Sequence, residues 1–221
     1  MERVVPADVL RLLETVGESV WQRSLVTNEI TLTVGVWTAL GYAAADVPKT
    51  LDEALAMFHA DDGQRIMAEL EGYLSGKTEG YRAQGRVRAA NGEWRWLRIT
   101  GGVITRDASG DAVLIGGLLS DISEEIAEQS SKMAAETRLA RLTKREQDVL
   151  EGMLRGLTSK EIGAALRLSS RTVESYRARI MEKLQVRTIP ALVQLCGLAG
   201  RRQNTPSEAA VAPSEVEEAV H

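Results

Sequence analysis

Residues 142–186, LTKREQDVLEGMLRGLTSKEIGAALRLSSRTVESYRARIMEKLQV, carry three helix-start signals at short spacing. Thr143 stands three residues before Glu146, and Thr158 three before Glu161. At this spacing a hydroxyl and a carboxylate satisfy each other's orphan helix donors, so each pair predicts a helix start. Gly156 supplies the left-handed stop after the first helix. Leu166-Arg167-Leu168 then breaks the pattern, and Ser169 or Ser170 caps a third helix. Few other folds are open to a stretch punctuated this closely.

Two short helices, a tight turn and a basic third helix form the layout of a helix-turn-helix that reads DNA. On the third helix Val173, Ile180 and Leu184, with Tyr176 or Arg177 between them, make an inward stripe. Arg171, Glu174, Ser175 and Ala178 lie opposite, where a groove-inserted helix meets base edges. Thr172, Arg179 and Lys183 flank them, where hydroxyls and cations meet phosphates. Taken alone, the same helix also reads as an amphipathic core helix with a solvated charged face.

Charge separates this block from the rest. Residues 143–202 hold 12 Lys and Arg against 6 Asp and Glu, whereas residues 1–142 hold 15 against 21. A basic module on an acidic chain is the footprint of a phosphate-binding end joined to something else.

The block resembles the LuxR/FixJ-type effector domain over about residues 142–200. The matching residues are Leu142-Thr143, Arg145-Glu146, Val149-Leu150, Gly156, Lys160-Glu161-Ile162, Leu166, Ser169, Arg171-Thr172-Val173-Glu174, Arg177, Ile180, Lys183-Leu184 and Val186. It departs from the family's usual pattern at Ser159, Gly163 and Tyr176. The resemblance implies double-stranded DNA as partner, with Lys160, Thr172, Tyr176 and Lys183 near phosphates and positions 171, 174, 175 and 178 near bases. Ala178 offers only methyl contact, so base readout falls to the other three. A fourth helix follows, with Thr188 as cap and Pro190 near its first turn. It is apolar over more than one face. In the resembled family this helix makes a homodimer, which casts Leu192, Leu195, Cys196 and Ala199 as dimerisation residues; packing within one copy is the alternative.

The other 140 residues read differently. Residues 6–17 form an amphipathic helix with Val9, Leu12, Leu13 and Val16 on one face. Strands follow at 19–25 and 29–34 around Thr27-Asn28, then short helices at 36–40 and 50–58, and a longer one at 62–74. Residues 81–89 alternate, with Tyr81, Ala83, Gly85, Val87 and Ala89 on the buried side. Asn91-Gly92 turns this strand into a second at 93–105, and residues 107–110 turn it into a third at 112–120.

That order resembles a PAS domain, carried by Trp21, Gly41-Tyr42, His59, Asp61-Asp62, Asn91-Gly92-Glu93, Trp96, Asp107, Gly110, Gly116 and Asp121-Ile122-Ser123. Ala60 stands where the family usually has Pro. The expected fold is therefore an α+β PAS domain with an antiparallel five-stranded sheet, plus an all-α four-helix helix-turn-helix domain. The candidate ligand pocket is lined by Val34, Leu40, Ile66, Leu70, Val87, Leu97, Ile99 and Ile115; the same residues also read simply as core. Trp94 and Trp96 alternate with Leu97 and Ile99 and belong to the other sheet face. The resemblance points away from flavin, since no cysteine stands in the short helices, and away from haem, since His59 belongs to a structural turn. Asp61 and Asp62 read as a pair that could hold a cation or, more simply, as acidic residues at a helix N-terminus.

Several functions are excluded as expectations. No apolar run approaches the ~20 residues of a membrane span. The charged N-terminus lacks a signal-peptide core, so a cytoplasmic protein is expected. Two histidines, His59 and His221, do not make a multi-histidine metal site, and Cys196 reads as a small buried hydrophobe. No hydrolytic or phosphate-binding motif is present, so no enzyme activity is expected. The expected organisation is an N-terminal helix (1–18), PAS sensor (19–122), helical connector (123–141), effector domain (142–200) and disordered tail (201–221). Its function is a one-component transcription regulator sensing a small molecule or partner. The alternative is a ligand-free PAS interaction module under a protein partner's control.

Overall fold

The structure is a computed structural model that describes residues 7–200, so the expected tail and the first six residues lie outside the described residues. Internal contacts divide the chain into two compact units, Met1–Ala127 and Glu128–His221.

The first unit is built on five antiparallel strands, β1 (Ser19–Ser24), β2 (Ile30–Leu32), β3 (Tyr81–Arg88), β4 (Trp94–Arg106) and β5 (Ala112–Asp121). Their order in the sheet is β2-β1-β5-β4-β3, so the first and last large strands meet in the middle. Before the sheet runs α1 (Ala7–Thr15). Between β2 and β3 come α2 (Gly35–Ala39), a 3-10 turn (Ala44–Asp46), α3 (Leu51–Ala56) and α4 (Ala60–Leu74). The hydroxyl of Thr50 accepts from Glu53 N at the start of α3, and His59 Nδ1 accepts from Asp61 N at the start of α4.

The predicted alternation of β3 is realised: Tyr81, Ala83, Gly85, Val87 and Ala89 are buried, while their neighbours are half-buried or exposed. Gly85 is needed for the approach of α4, because a Cβ there would lie 2.8 Å from Ile66 Cδ1 and 2.9 Å from Phe58 Cδ1. On β4, Gly101 makes room for the Trp21 ring, which a Cβ would meet at 2.7 Å. Trp21 Nε1 donates to Thr100 O at 3.1 Å, which fixes that ring across the sheet.

Asp61 and Asp62 lie in the first turn of α4, as the simpler reading expects, and Asp62 does more than face the helix N-terminus. Its carboxylate accepts from Arg86 Nε (2.8 Å), Arg86 N (2.9 Å) and Arg65 Nη2 (3.0 Å), joining α4 to β3. These bonds, Arg86 first, hold its pKa well below the usual carboxylate range.

Helix α5 (Ser123–Leu139) occupies the segment predicted as the connector. Ser123 Oγ accepts from Trp96 N, and Arg98 pairs with Glu125 at 2.6 Å, which ties the start of α5 to β4. Little of this segment is apolar and covered: Ile122 is buried, whereas Met133 and Ala140 are exposed.

In the second unit Ala135 and Leu139 of α5 join a core with α6 (Lys144–Leu154), α7 (Ser159–Leu166), α8 (Ser170–Lys183) and α9 (Ile189–Leu198). Both capping boxes form, Thr143 with Glu146 and Thr158 with Glu161. Ser169 is the α8 cap, accepting from Thr172 N. After α7, Arg167 takes a left-handed φ of 56°. Gly163 lets the chain fold back here, since a Cβ would lie 2.7 Å from Leu168 O.

Candidate nucleic-acid interface and sensor cavity

Helix α8 lies on α6 and α7 through Val173, Ile180 and Leu184, which are fully buried. Tyr176 also packs on this core, and Arg177 is half-buried. That leaves Arg171, Glu174, Ser175, Ala178 and Arg179 exposed along one side, with Thr172 half-buried and Lys160 exposed on α7. The sorting follows from the helical period, since burying 173, 180 and 184 turns 171, 174, 175 and 178 outward.

Several of these side chains already have partners. Glu174 accepts from Ser159 Oγ across the α7–α8 turn. Thr172 Oγ1 bonds to Ser169 Oγ, and Ser175 Oγ donates to Arg171 O. Lys183 donates to Glu146 Oε2 at 2.8 Å. Glu146 is 3% exposed. Burial alone raises its pKa, but the bonds from Lys183 and Thr143 outweigh it and hold the pKa below the usual range. Lys183 therefore has a structural bond that helix periodicity did not reveal. Among the described residues Arg171, Arg179 and Lys160 form no ion pair, and they are exposed to solvent.

The α9 residues read for dimerisation pack within one copy, which is the alternative the sequence left open. Leu192, Leu195 and Cys196 are 0%, 6% and 1% exposed within one copy, and Ala199 packs partly against the same core. Side chains already spent on their own core have little area left for a second chain. The apolar groups that α9 does leave outside are Ile189 and Leu198, 39% and 46% exposed.

The first unit contains an apolar cavity between the sheet and α2, α3 and α4, with a free volume of about 70 Å³. Of the eight predicted lining residues, Ile66, Leu70 and Ile99 face it. Leu40, Val87, Leu97 and Ile115 are buried core, and Val34 packs partly against that core. Trp21, Trp37, Leu51, Leu55, Phe58 and Tyr81 line the cavity as well. The aromatic groups came from separate segments, so no local period could join them. Tyr81 donates weakly to Ile66 O (3.4 Å), and burial raises its pKa, so this phenol stays protonated; Arg23 also lines the cavity.

Residues 140–196 match the luxR family of bacterial regulatory proteins, and residues 29–119 match the PAS fold. The chain is a PAS domain followed by a luxR-type domain. The transcriptional regulatory protein FixJ of Azorhizobium caulinodans is 36% identical over 93 residues, covering 41% of this chain and 44% of that protein. FixJ of Bradyrhizobium diazoefficiens is 43% identical over 63 residues, covering 28% and 31%. The chain thus spans less than half the length of these relatives. A sensory box histidine kinase/response regulator from Burkholderia thailandensis shares the fold, with a TM-score of 0.50 at 22% identity over 60% of this chain and 98% of that one.

On the outer face of the PAS sheet, Trp94 is 47% exposed with its ring edge-on to His59 at 5.1 Å. Trp96 carries the Arg86 guanidinium 5.7 Å from its ring centroid. Among the described residues no group of three or more His, Cys, Asp or Glu is placed to hold a metal ion, and no helix is long and apolar enough to cross a membrane.

Proposed function

We propose that this chain is a transcription regulator in which the luxR-type domain binds double-stranded DNA and the PAS domain sets when it does so. The observation that carries this reading is α8, whose exposed side presents Arg171, Glu174, Ser175 and Ala178 while Val173 and Ile180 on its other side are fully buried. Its N-terminal half enters the major groove, and Lys160, Thr172, Tyr176, Arg179 and Lys183 meet the backbone. Two copies act together on half-sites about 34 Å apart, one helical turn, which makes the operator roughly palindromic. Ile189 and Leu198 of α9 supply the exposed apolar surface for that pairing. The protein works in the cytoplasm without enzymatic activity. The PAS cavity takes the signal, and α5, bonded to β4 at its start, carries it.

The test is selection of sites from random duplex DNA with the full chain, followed by titration of the selected site. Arg171→Ala is expected to relax preference at one base position by about 1–3 kcal/mol. Lys160→Ala is expected to weaken every sequence alike and to lower the salt slope by about one. Selection that returns no enriched sequence, together with salt-independent binding, would remove the reading.

A second reading has its own observation. Helix α1 and the turn that ends it leave Val9, Leu12 and Val16 exposed at 43%, 63% and 64%, an apolar stripe at i, i+3 and i+7. This favours a PAS domain that works by holding a protein partner. Leu12→Glu with Val16→Glu is expected to abolish such association without lowering the melting temperature. Association that is undiminished in this variant excludes the α1 stripe as the contact.

A further inference from the structure

The cavity of the PAS domain has one polar group left unused. Trp37 is 1% exposed and lines the cavity, and its Nε1 is buried with no hydrogen-bond partner. The other polar groups of the wall are engaged: Trp21 Nε1 with Thr100 O, Tyr81 with Ile66 O, and Arg23 with Asn28 Oδ1 at 2.7 and 3.1 Å. A buried N–H without an acceptor is costly, and natural interiors rarely leave one.

We infer that this cavity takes a small, uncharged, largely apolar molecule that presents one hydrogen-bond acceptor to Trp37 Nε1. The inference rests on the sensing reading above and adds the chemistry of the signal. An indole nitrogen only donates, so the ligand must accept. Leu51, Leu55, Ile66 and Leu70 line most of the space with hydrocarbon, and the guanidinium of Arg23 is already held by Asn28 Oδ1, so a net charge would be desolvated with little compensation. A free volume of about 70 Å³ is smaller than the ~150 Å³ cavity known to admit benzene, which points to a molecule of few heavy atoms. A carbonyl on a short hydrocarbon frame meets all three conditions.

Acetone and 2-methylpropene make the test, because they share a shape and differ in the acceptor oxygen. Each is titrated into the isotopically labelled chain while the four indole N–H signals and the methyl signals of Ile66 and Leu70 are followed. Trp37→Phe assigns the indole signal. Both probes are expected to move the methyl signals, and only acetone to move the Trp37 indole proton downfield. In Trp37→Phe the affinity for acetone should fall roughly five- to tenfold, with 2-methylpropene unchanged. The wild-type comparison stands even if that variant folds poorly. Should both probes enter and leave the indole proton alike, the acceptor inference is overturned while the sensing reading survives. If neither probe moves the methyl signals, the cavity admits no such molecule and both fall.

Discussion

Replacing Lys183 by Met is expected to destabilise the luxR-type domain by about 2 kcal/mol, whether or not DNA is present. Lys183 donates at 2.8 Å to Glu146, whose side chain is 4% exposed, and Thr143 supplies the remaining donors from its backbone N (2.8 Å) and hydroxyl (3.0 Å). Removing one member of a buried ion pair strands the other, at a cost of about 3–5 kcal/mol. The value here lies lower because the Lys183 side chain is 39% exposed, so water can reach part of the vacated position. Glu146→Gln combined with Lys183→Met should recover much of the loss, since neither charge is then stranded. Chemical denaturation of the two variants checks this. If Lys183→Met is neutral, the pair contributes nothing net. The result also governs how DNA-binding data are read: a Lys183 variant weakens binding through both a lost phosphate contact and a loosened α6–α8 junction, so Lys160, which has no such bond, reports the phosphate term cleanly.

The contrast between Glu146 and its neighbours explains how far the sequence could be read. Thr143–Glu146 and Thr158–Glu161 are three residues apart, and the chemistry of a helix start depends on little else, so both boxes were legible. Tyr81 to Ala89 alternates because one side of β3 faces a core, and period two survives in any antiparallel sheet. Lys183 and Glu146 are 37 residues apart, and helix geometry places Lys183 outward without saying what its ammonium reaches. Helix α9 was ambiguous for a related reason. A helix apolar on several faces does not tell which face meets its own domain, and Leu192 and Cys196 turned inward. The cavity was least legible. Periodicity identifies core residues, but which of them leave a gap depends on how α2, α3 and α4 pack across the sheet, and Trp37 entered no period at all.

The second large effect is expected at Asp62. Strand β3 lies at the end of the sheet order, so its outer edge has backbone groups that no strand satisfies. The chain covers them one at a time: Arg65 Nη2 donates to Gln84 O (2.7 Å), Arg86 N to Asp62 Oδ2 (2.9 Å), His59 N to Arg86 O (2.7 Å) and Arg88 N to Met57 O (3.0 Å). Asp62 also holds the guanidinium groups of Arg86 and Arg65, so it links two parts of this cover. Asp62→Ala is expected to cost about 3 kcal/mol, combining a lost charge-assisted network with an unmet backbone donor. The arginine side chains, 30% and 43% exposed, can rehydrate, which keeps the cost from rising further. Because the Asp62 pKa is depressed in the folded chain, the stabilisation is full above the unfolded carboxylate range near 4 and is lost as pH falls below it. Wild type should therefore lose PAS stability with acid, and Asp62→Asn should flatten that dependence in thermal melts between pH 3 and 7. An uncovered edge strand also invites pairing with a second copy, so Asp62→Ala should aggregate below its melting temperature where wild type does not. A variant that melts earlier yet stays monodisperse would mean that the 57–59 segment alone protects the edge, and that Asp62 serves only to fasten α4.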